Sequence, residues 1–180
     1  MNKELYQEIK IPEGVEVELD GSLVKVKGSE GEFERRFTLA KLELKKEGEN
    51  IIIGYGKSTK REKKLMNSIA AHIRNMIKGV QEKFEYKLKV CSSHFPMSVE
   101  IKDTAAEIKN FLGEKIARKV RIPKGVEVNL EKDIITIKSN NKELAGQAAA
   151  NFESVTKVGK KDRRVFQDGI FIINKSGKEI

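Results

Sequence analysis

Tryptophan is absent from this sequence, cysteine occurs once, histidine twice and proline three times. A lone Cys91 excludes an internal disulfide and a cysteine-rich metal cage, which agrees with a reducing compartment. No apolar run approaches the roughly 20 residues that a membrane-spanning helix needs, and the opening MNKELYQEIK lacks the apolar core of a signal peptide. A cytoplasmic protein without a membrane partner is therefore expected. The 8 Phe and 3 Tyr are scattered, so they form no aromatic ladder for stacking single-stranded nucleic acid.

What the chain has in quantity is charge. Charged residues make up 35% and hydrophobic ones 38%, with a formal net charge of +9, a balance that points to a polyanionic partner or to simple solvation of lysines. Distribution separates the two readings better than the total. Residues 1–81 hold 16 basic and 13 acidic side chains, residues 82–180 hold 20 and 14, and five basic groups crowd into KVGKKDRR, Lys157 to Arg164.

The chain also repeats itself. IPEGVEVEL, Ile11 to Leu19, returns 111 residues later as IPKGVEVNL, Ile122 to Leu130, and Leu23, Val24, Val26 and Lys27 stand opposite Ile134, Ile135, Ile137 and Lys138 in the same register. A second echo, Leu65, Ala70, Ala71 and Ile73 against Leu144, Ala149, Ala150 and Phe152, runs at an offset of 79, so the first copy holds 32 further residues between its hairpin and its helix. Two copies are too few for a solenoid, which needs about three or more, so each copy must build its own core. The fold class expected is α+β: two tandem duplicated lobes, each an antiparallel β-sheet packed against one main α-helix. The boundaries expected are 1–81 and 82–180, with the strands of 82–102 free to pair with either lobe.

Period-two alternation supports the strands. Val15, Val17 and Leu19 point one way and Glu16 and Glu18 the other, and turns at Asp20-Gly21 and Lys132-Asp133 make each copy open with a hairpin. EFERRFTL, KLELKK and NIIIGY predict three more strands that extend the first sheet. EKFEYKLKV and MSVEIK predict strands between the copies, and AEIKNFLGEKIARKV a hairpin turning at Gly113. Period 3.6 in Leu65, Ile69, Ile73, Ile77 and Val80 predicts a helix capped by Thr59 and Glu62 at its start and by Gly79 at its end. Leu144, Ala148, Phe152 and Val155 predict a second, thinner one.

Several constellations invite chemistry. IIIGYGKST carries Gly-Lys-Ser, but a phosphate-cradling loop needs a glycine where Ile51 stands, so a turn leading into a basic helix is the better reading. The patch Lys57, Lys60, Arg61, Lys63 and Lys64 is open to two readings, phosphate contact or solvated surface. Cys91 and His94 have C-x-x-H spacing, yet His72 is the only other histidine, and neither a third zinc ligand nor an orienting group for a nucleophile is visible. Neither catalysis nor a metal or other cofactor is expected. The remaining block is VGKKDRRVFQDGIFI, Val158 to Ile172. Glycine permits close approach, Lys160, Lys161, Arg163 and Arg164 can neutralise phosphates, and Gln167 and Asp168 can hydrogen-bond to sugar or base edges. On physics alone a solvated charge run is the default reading.

These residues resemble the universal L-six family of large-subunit ribosomal proteins in its archaeal and eukaryotic form. The likeness covers essentially the whole chain: the paired Pro-x-Gly-Val-Glu-Val hairpins, SHFPMSVEIK, NFLGEK, KELAGQAAANFE and above all DRRVFQDGIFI. The Tyr-Lys-Gly-Lys-Gly-Ile type tail of bacterial members is absent, which favours an archaeal source. The resemblance implies a structural rRNA-binding protein of the large subunit, beside neighbouring ribosomal proteins and near the sarcin-ricin region where translational GTPases dock. It implies that the C-terminal lobe makes the main rRNA contacts, through Lys157, Lys160, Lys161, Arg163, Arg164 and Gln167, with Phe166 and Ile170 anchoring the loop. Lys115, Arg118 and Lys119 are further candidates. The alternative is an RNA-binding or protein-interaction scaffold away from the ribosome, also without catalysis.

Overall fold

The computed structural model describes the backbone of residues 3–180 and the side chains of residues 5–56 and 59–180. The chain divides into two compact units, one up to Lys83 and the other from Phe84 onward.

In the first unit, β1 (Lys3–Lys10), β2 (Glu16–Asp20), β3 (Leu23–Gly28), β4 (Gly31–Arg36), β5 (Glu43–Glu47) and β6 (Asn50–Ser58) precede α1 (Lys60–Gln81). They form two antiparallel three-stranded sheets, β2-β3-β4 and β1-β6-β5. The three strands predicted to extend one sheet are thus shared out: β4 joins the hairpin, while β6 pairs with β1 on one side and β5 on the other. Alternation decides which faces are covered. Val17, Val24, Val26, Ile51 and Ile53 are almost fully buried and meet Met66, Ile69, Ile73, Met76, Ile77 and Val80 of α1.

Thr59 and Glu62 form the predicted capping box. Gly79, however, is not the C-cap. The helix runs through it to Gln81, because its last carbonyls find donors without a left-handed glycine: the Glu82 N–H donates to Lys78 O at 2.9 Å and the Glu30 N–H to Val80 O at 2.9 Å. That second bond brings the helix end hard against the β3–β4 turn. A Cβ on Gly28 would stand 2.7 Å from Val80 O.

In the second unit, β7 (Phe84–Cys91), β8 (Ser98–Lys102), β9 (Ala105–Lys109), β10 (Arg118–Arg121), β11 (Glu127–Glu131) and β12 (Ile134–Ser139) precede α2 (Lys142–Val155), which is followed by β13 (Gly169–Lys175) and β14 (Lys178–Glu179). The sheets run β11-β12-β7-β13-β14 and β10-β9-β8. At the 111-residue offset β11 and β12 answer to β2 and β3, and β10 to the end of β1. Pairing then assigns the rest: β7 lies beside β12 as β4 does beside β3, and β9 and β8 lie beside β10 as β6 and β5 do beside β1. The six equivalent strands therefore follow one another in circularly permuted order in the second unit, while the helix comes after them in both. The 32 further residues of the first copy are not an extension peculiar to it, since the second unit draws the matching strands from the segment ahead of its repeat.

The cores correspond in part: Val15 and Val17 are buried whereas Val126 and Val128 are half-buried, but the neighbouring positions match. Ile11, Val24 and Val26 are buried, as are Ile122, Ile135 and Ile137. α2 is shorter and presents Ala145, Ala148, Ala149 and Phe152 as its buried side chains, starting from an Asn141 N-cap whose side-chain oxygen accepts from the Glu143 and Leu144 N–H groups. No helix among the described residues is long and apolar enough to cross a membrane.

Candidate nucleic-acid interface

The predicted tail block becomes a loop, residues 157–168, strung between α2 and β13. Both of its ends are tied at one residue. Thr156, 2% exposed, donates its hydroxyl to Phe152 O at 3.1 Å and accepts from the Ile170 N–H at 2.9 Å. Ile170 itself is fully buried, so the loop leaves and rejoins a fixed frame.

Within the loop Asp162 organises a turn. Its carbonyl accepts from the Val165 and Phe166 N–H groups at 3.2 and 2.9 Å, and its carboxylate accepts from the Arg164 N–H at 3.0 Å and from the Arg164 guanidinium at 2.8 Å. The Arg164 side chain holds the Asp162 carboxyl below its usual range. Gln167 Nε2 donates to Arg164 O at 3.1 Å. The Lys161 ammonium lies 4.5 Å from the centre of the Phe166 ring, a cation–π contact.

The other face of this arrangement is a buried anchor. Asp168, 3% exposed, accepts from the Ser93 N–H at 2.7 Å, the His94 N–H at 3.0 Å and the Ser93 hydroxyl at 3.1 Å. His94 Nδ1 stands 2.6 Å from its second oxygen. Burial disfavours the charged carboxylate, but the hydrogen bonds from His94 and then Ser93 outweigh it and hold this carboxyl far below the ordinary range. An ionised carboxylate only accepts, so His94 carries a proton on Nδ1. The His94 ring stacks on Phe166 with centroids 4.8 Å apart and planes 18° from parallel. Asp168, assigned from the sequence to sugar or base edges, is thus turned inward and positions the loop. Its company resembles a serine–histidine–aspartate triad by composition alone. In a working triad the histidine faces serine and aspartate with opposite nitrogens, and here Nδ1 faces both.

The loop of residues 92–97 is held on its far side as well. Asn110 Nδ2 donates to Pro96 O at 2.9 Å, and the Phe95 ring lies against Gly113. Gly113 sits at φ +79 in the turn joining β9 to β10, where the sequence placed it.

Of the predicted site residues, Lys157, Lys160, Lys161, Arg163, Arg164 and Gln167 are all exposed on the one loop. The Arg164 side chain keeps 90% exposure despite its carboxylate partner. Phe166 and Ile170 anchor that loop as predicted. Arg118 is committed within the unit: Nε and Nη2 meet Glu114 at 2.7 and 2.6 Å, Nη1 donates to Val155 O, and the guanidinium lies 4.2 Å from the centre of the Phe111 ring. It braces the β9–β10 turn against the end of α2. The Glu114 carboxyl is lowered chiefly by Arg118, and Lys115 is exposed on the same turn. Lys119 lies elsewhere, on the outward side of β10 opposite Glu107.

In the first unit Lys60, Arg61, Lys63 and Lys64 are exposed at the start of α1, and Lys57 lies outside the described side chains. Among the described residues no group of three or more His, Cys, Asp or Glu side chains is placed to hold a metal ion. What the second unit offers is a loop of five exposed cations tied at Thr156 and Asp168, able to neutralise anionic groups.

Comparison with known proteins identifies relatives over nearly the whole chain. The family model described as Ribosomal protein L6 matches residues 11–83 and 95–169, one stretch in each unit. The chain is 46% identical over 172 residues to the large ribosomal subunit protein uL6 of Staphylothermus marinus, covering 93% of each chain. It is 42% identical over 174 residues to the protein of that name from Methanococcus vannielii, covering 97% of this chain and 96% of the relative. The Sulfurisphaera tokodaii protein, of the same name, is 40% identical over 172 residues, 95% of this chain and 92% of the relative.

Proposed function

Since the chain belongs to the ribosomal protein L6 family, we propose that it is a structural, non-enzymatic constituent of the large ribosomal subunit, acting in the cytoplasm as part of the ribosome and docking on large-subunit rRNA through the tail loop of its second unit. The observation that carries this reading is the mounting of Lys157, Lys160, Lys161, Arg163 and Arg164. They ride on a loop closed at Thr156 and fastened by the buried Asp168.

The geometry suits folded RNA. A-form helices hide their base edges in a deep, narrow groove, so phosphates and 2′-hydroxyls are what a protein meets. A preorganised loop gains because little conformational freedom is lost on binding. Cation contacts release counterions, so about four to six phosphate contacts give a log–log salt slope of roughly −4 to −5. The likeness carried by DRRVFQDGIFI supports the finer placement, beside neighbouring large-subunit proteins and near the sarcin-ricin region where translational GTPases dock.

The test is filter binding of the full chain to large-subunit rRNA from Methanococcus vannielii across a series of salt concentrations. The Arg163→Ala/Arg164→Ala double variant is expected to bind more weakly, with a slope shallower by about one to two, and to keep the wild-type circular dichroism. Unchanged affinity and slope in that variant would overturn the tail-loop assignment.

A further inference from the structure

Beside the tail loop the second unit is hollowed into an open cleft of about 1000 Å³. Its floor includes an aromatic ring that the core does not use. Ile170 is fully buried, but the next residue of β13, Phe171, is on the opposite face of the sheet and 43% exposed. Its ring is nevertheless held. Gly169, at φ +155, has no side chain, and the ring folds back over it so that a Cβ there would lie 3.1 Å from Phe171 Cζ.

The walls carry the other parts of a nucleotide site. Lys157, Arg163 and Gln167 come from the tail loop, and Asp133 and Glu153 also line the cleft. We infer that this cleft receives one unstacked nucleotide of the bound RNA, its base against Phe171, its phosphate toward Lys157 and Arg163, and an exocyclic amino group toward Asp133 or Glu153. The inference rests on the rRNA reading and deepens it from backbone neutralisation to the capture of a single base.

Three features select this occupant. The cleft lies at the upper end of the range that ligand sites fill, roomy enough for a base with its sugar and phosphate. An exposed aromatic ring among basic side chains is the means by which proteins hold bases splayed from bulges and loops. The tail loop is itself one wall, so RNA following the loop's cations passes the mouth of the cleft. The two carboxylates oppose a phosphate on their side and accept from amino groups, which favours adenine, cytosine or guanine over uracil.

The experiment uses the full chain and Methanococcus vannielii large-subunit rRNA, with affinity measured at several salt concentrations and unpaired bases probed by dimethyl sulfate and by a guanine-specific reagent. The wild type is expected to protect one unpaired, amino-bearing base. Phe171→Ala is expected to lose that protection and about 5- to 150-fold in affinity, with the salt slope unchanged because no charge is removed. Phe171→Leu keeps apolar bulk without a stacking face, and it serves by the same two readouts if the alanine variant unfolds. A folded Phe171 variant that binds and protects as the wild type does overturns the inference. If Arg163→Ala/Arg164→Ala still weakens binding in that case, the rRNA reading stands and only the cleft's role falls; if it does not, both fall together.

Discussion

β4 and β7 hold equivalent places, each beside the central strand of a repeated hairpin, but β4 is the edge of its sheet whereas β7 carries β13 on its other side. The helices differ correspondingly. α1 is followed directly by the next unit, while α2 is followed by the basic loop and then β13. The second unit thus holds the first unit's strands in permuted order plus one added segment, and that segment holds the cation cluster Lys157 to Arg164. Duplication supplied two frames, and the addition to one of them supplied an exposed cationic loop. The charge distribution agrees: the first unit's basic and acidic side chains nearly balance, and the excess gathers at Lys157 to Arg164.

The largest effect that would break this comparison comes from reversing charge in each unit in turn. Lys160, Lys161 and Arg163 changed together to Glu should reduce rRNA affinity at least about a hundredfold, because three phosphate contacts become repulsions. Lys60, Arg61 and Lys64 changed to Glu should cost only a few-fold. Filter binding at fixed salt decides; equal losses would mean that both units carry the interface. Next comes the anchor. Asp168→Ala removes a buried carboxylate that accepts four hydrogen bonds and should destabilise the second unit by about 2–3 kcal/mol, read from urea unfolding, with weaker RNA binding following from a loosened loop. The folded Asp168 carboxyl titrates below its unfolded value. Its contribution is therefore full above about pH 4 and is lost as pH falls from there toward the depressed folded value. Asp168→Asn should flatten that acid limb, and a limb as steep as the wild type's would dismiss Asp168 as its cause.

A smaller effect tests the close approach peculiar to the first unit. Gly28→Ala sets a methyl group 2.7 Å from Val80 O and should cost about 1–3 kcal/mol by overpacking. The matching position in the second unit is Ser139, which is buried and donates its hydroxyl to Gly125 O at 2.8 Å, so there the frame already accommodates a side chain. Thermal unfolding of Gly28→Ala beside Ser139→Ala separates a steric cost from a lost hydrogen bond. A neutral Gly28→Ala would show that the helix end can shift.

How much of this was legible in the sequence follows from how local each signal is. The hairpins were legible because alternation and a turn are written in adjacent residues: Val24 and Ile135, matched at the 111-residue offset, are both fully buried. The capping box at Thr59 and the turn at Gly113 are equally local. The permuted strand order was not, because which strand lies beside β12 is settled by ladder bonds between distant segments, and alternation carries no partner's address. Asp168 was misread for the same reason. An aspartate between Gln167 and Gly169 in a basic block has every local mark of a surface residue, and its donors Ser93 and His94 lie 75 and 74 residues upstream. Arg118 read as one more free cation until Glu114, Phe111 and Val155 closed around it. Gly79 read as a helix stop because one donor to the last carbonyls, Glu30, lies 50 residues upstream of its acceptor Val80.

The smallest effect is the cleanest measure of how far the two units have diverged within one backbone. Gly21 and Lys132 occupy the same hairpin position at the 111-residue offset, and both are left-handed, at φ +58 and +54. Glycine takes that conformation at no steric cost, whereas a side chain costs about 1–2 kcal/mol there; glycine's greater freedom in the unfolded chain returns part of the difference. Lys132→Gly should therefore stabilise the second unit by a fraction of a kcal/mol, and Gly21→Lys should destabilise the first by a similar amount, both read from urea midpoints at constant slope. Opposite signs of like size would mean that the hairpins are energetically interchangeable. A loss in both would mean that the Lys132 side chain contributes more than the left-handed backbone costs it, and that the turn has been refitted to its own unit since the duplication.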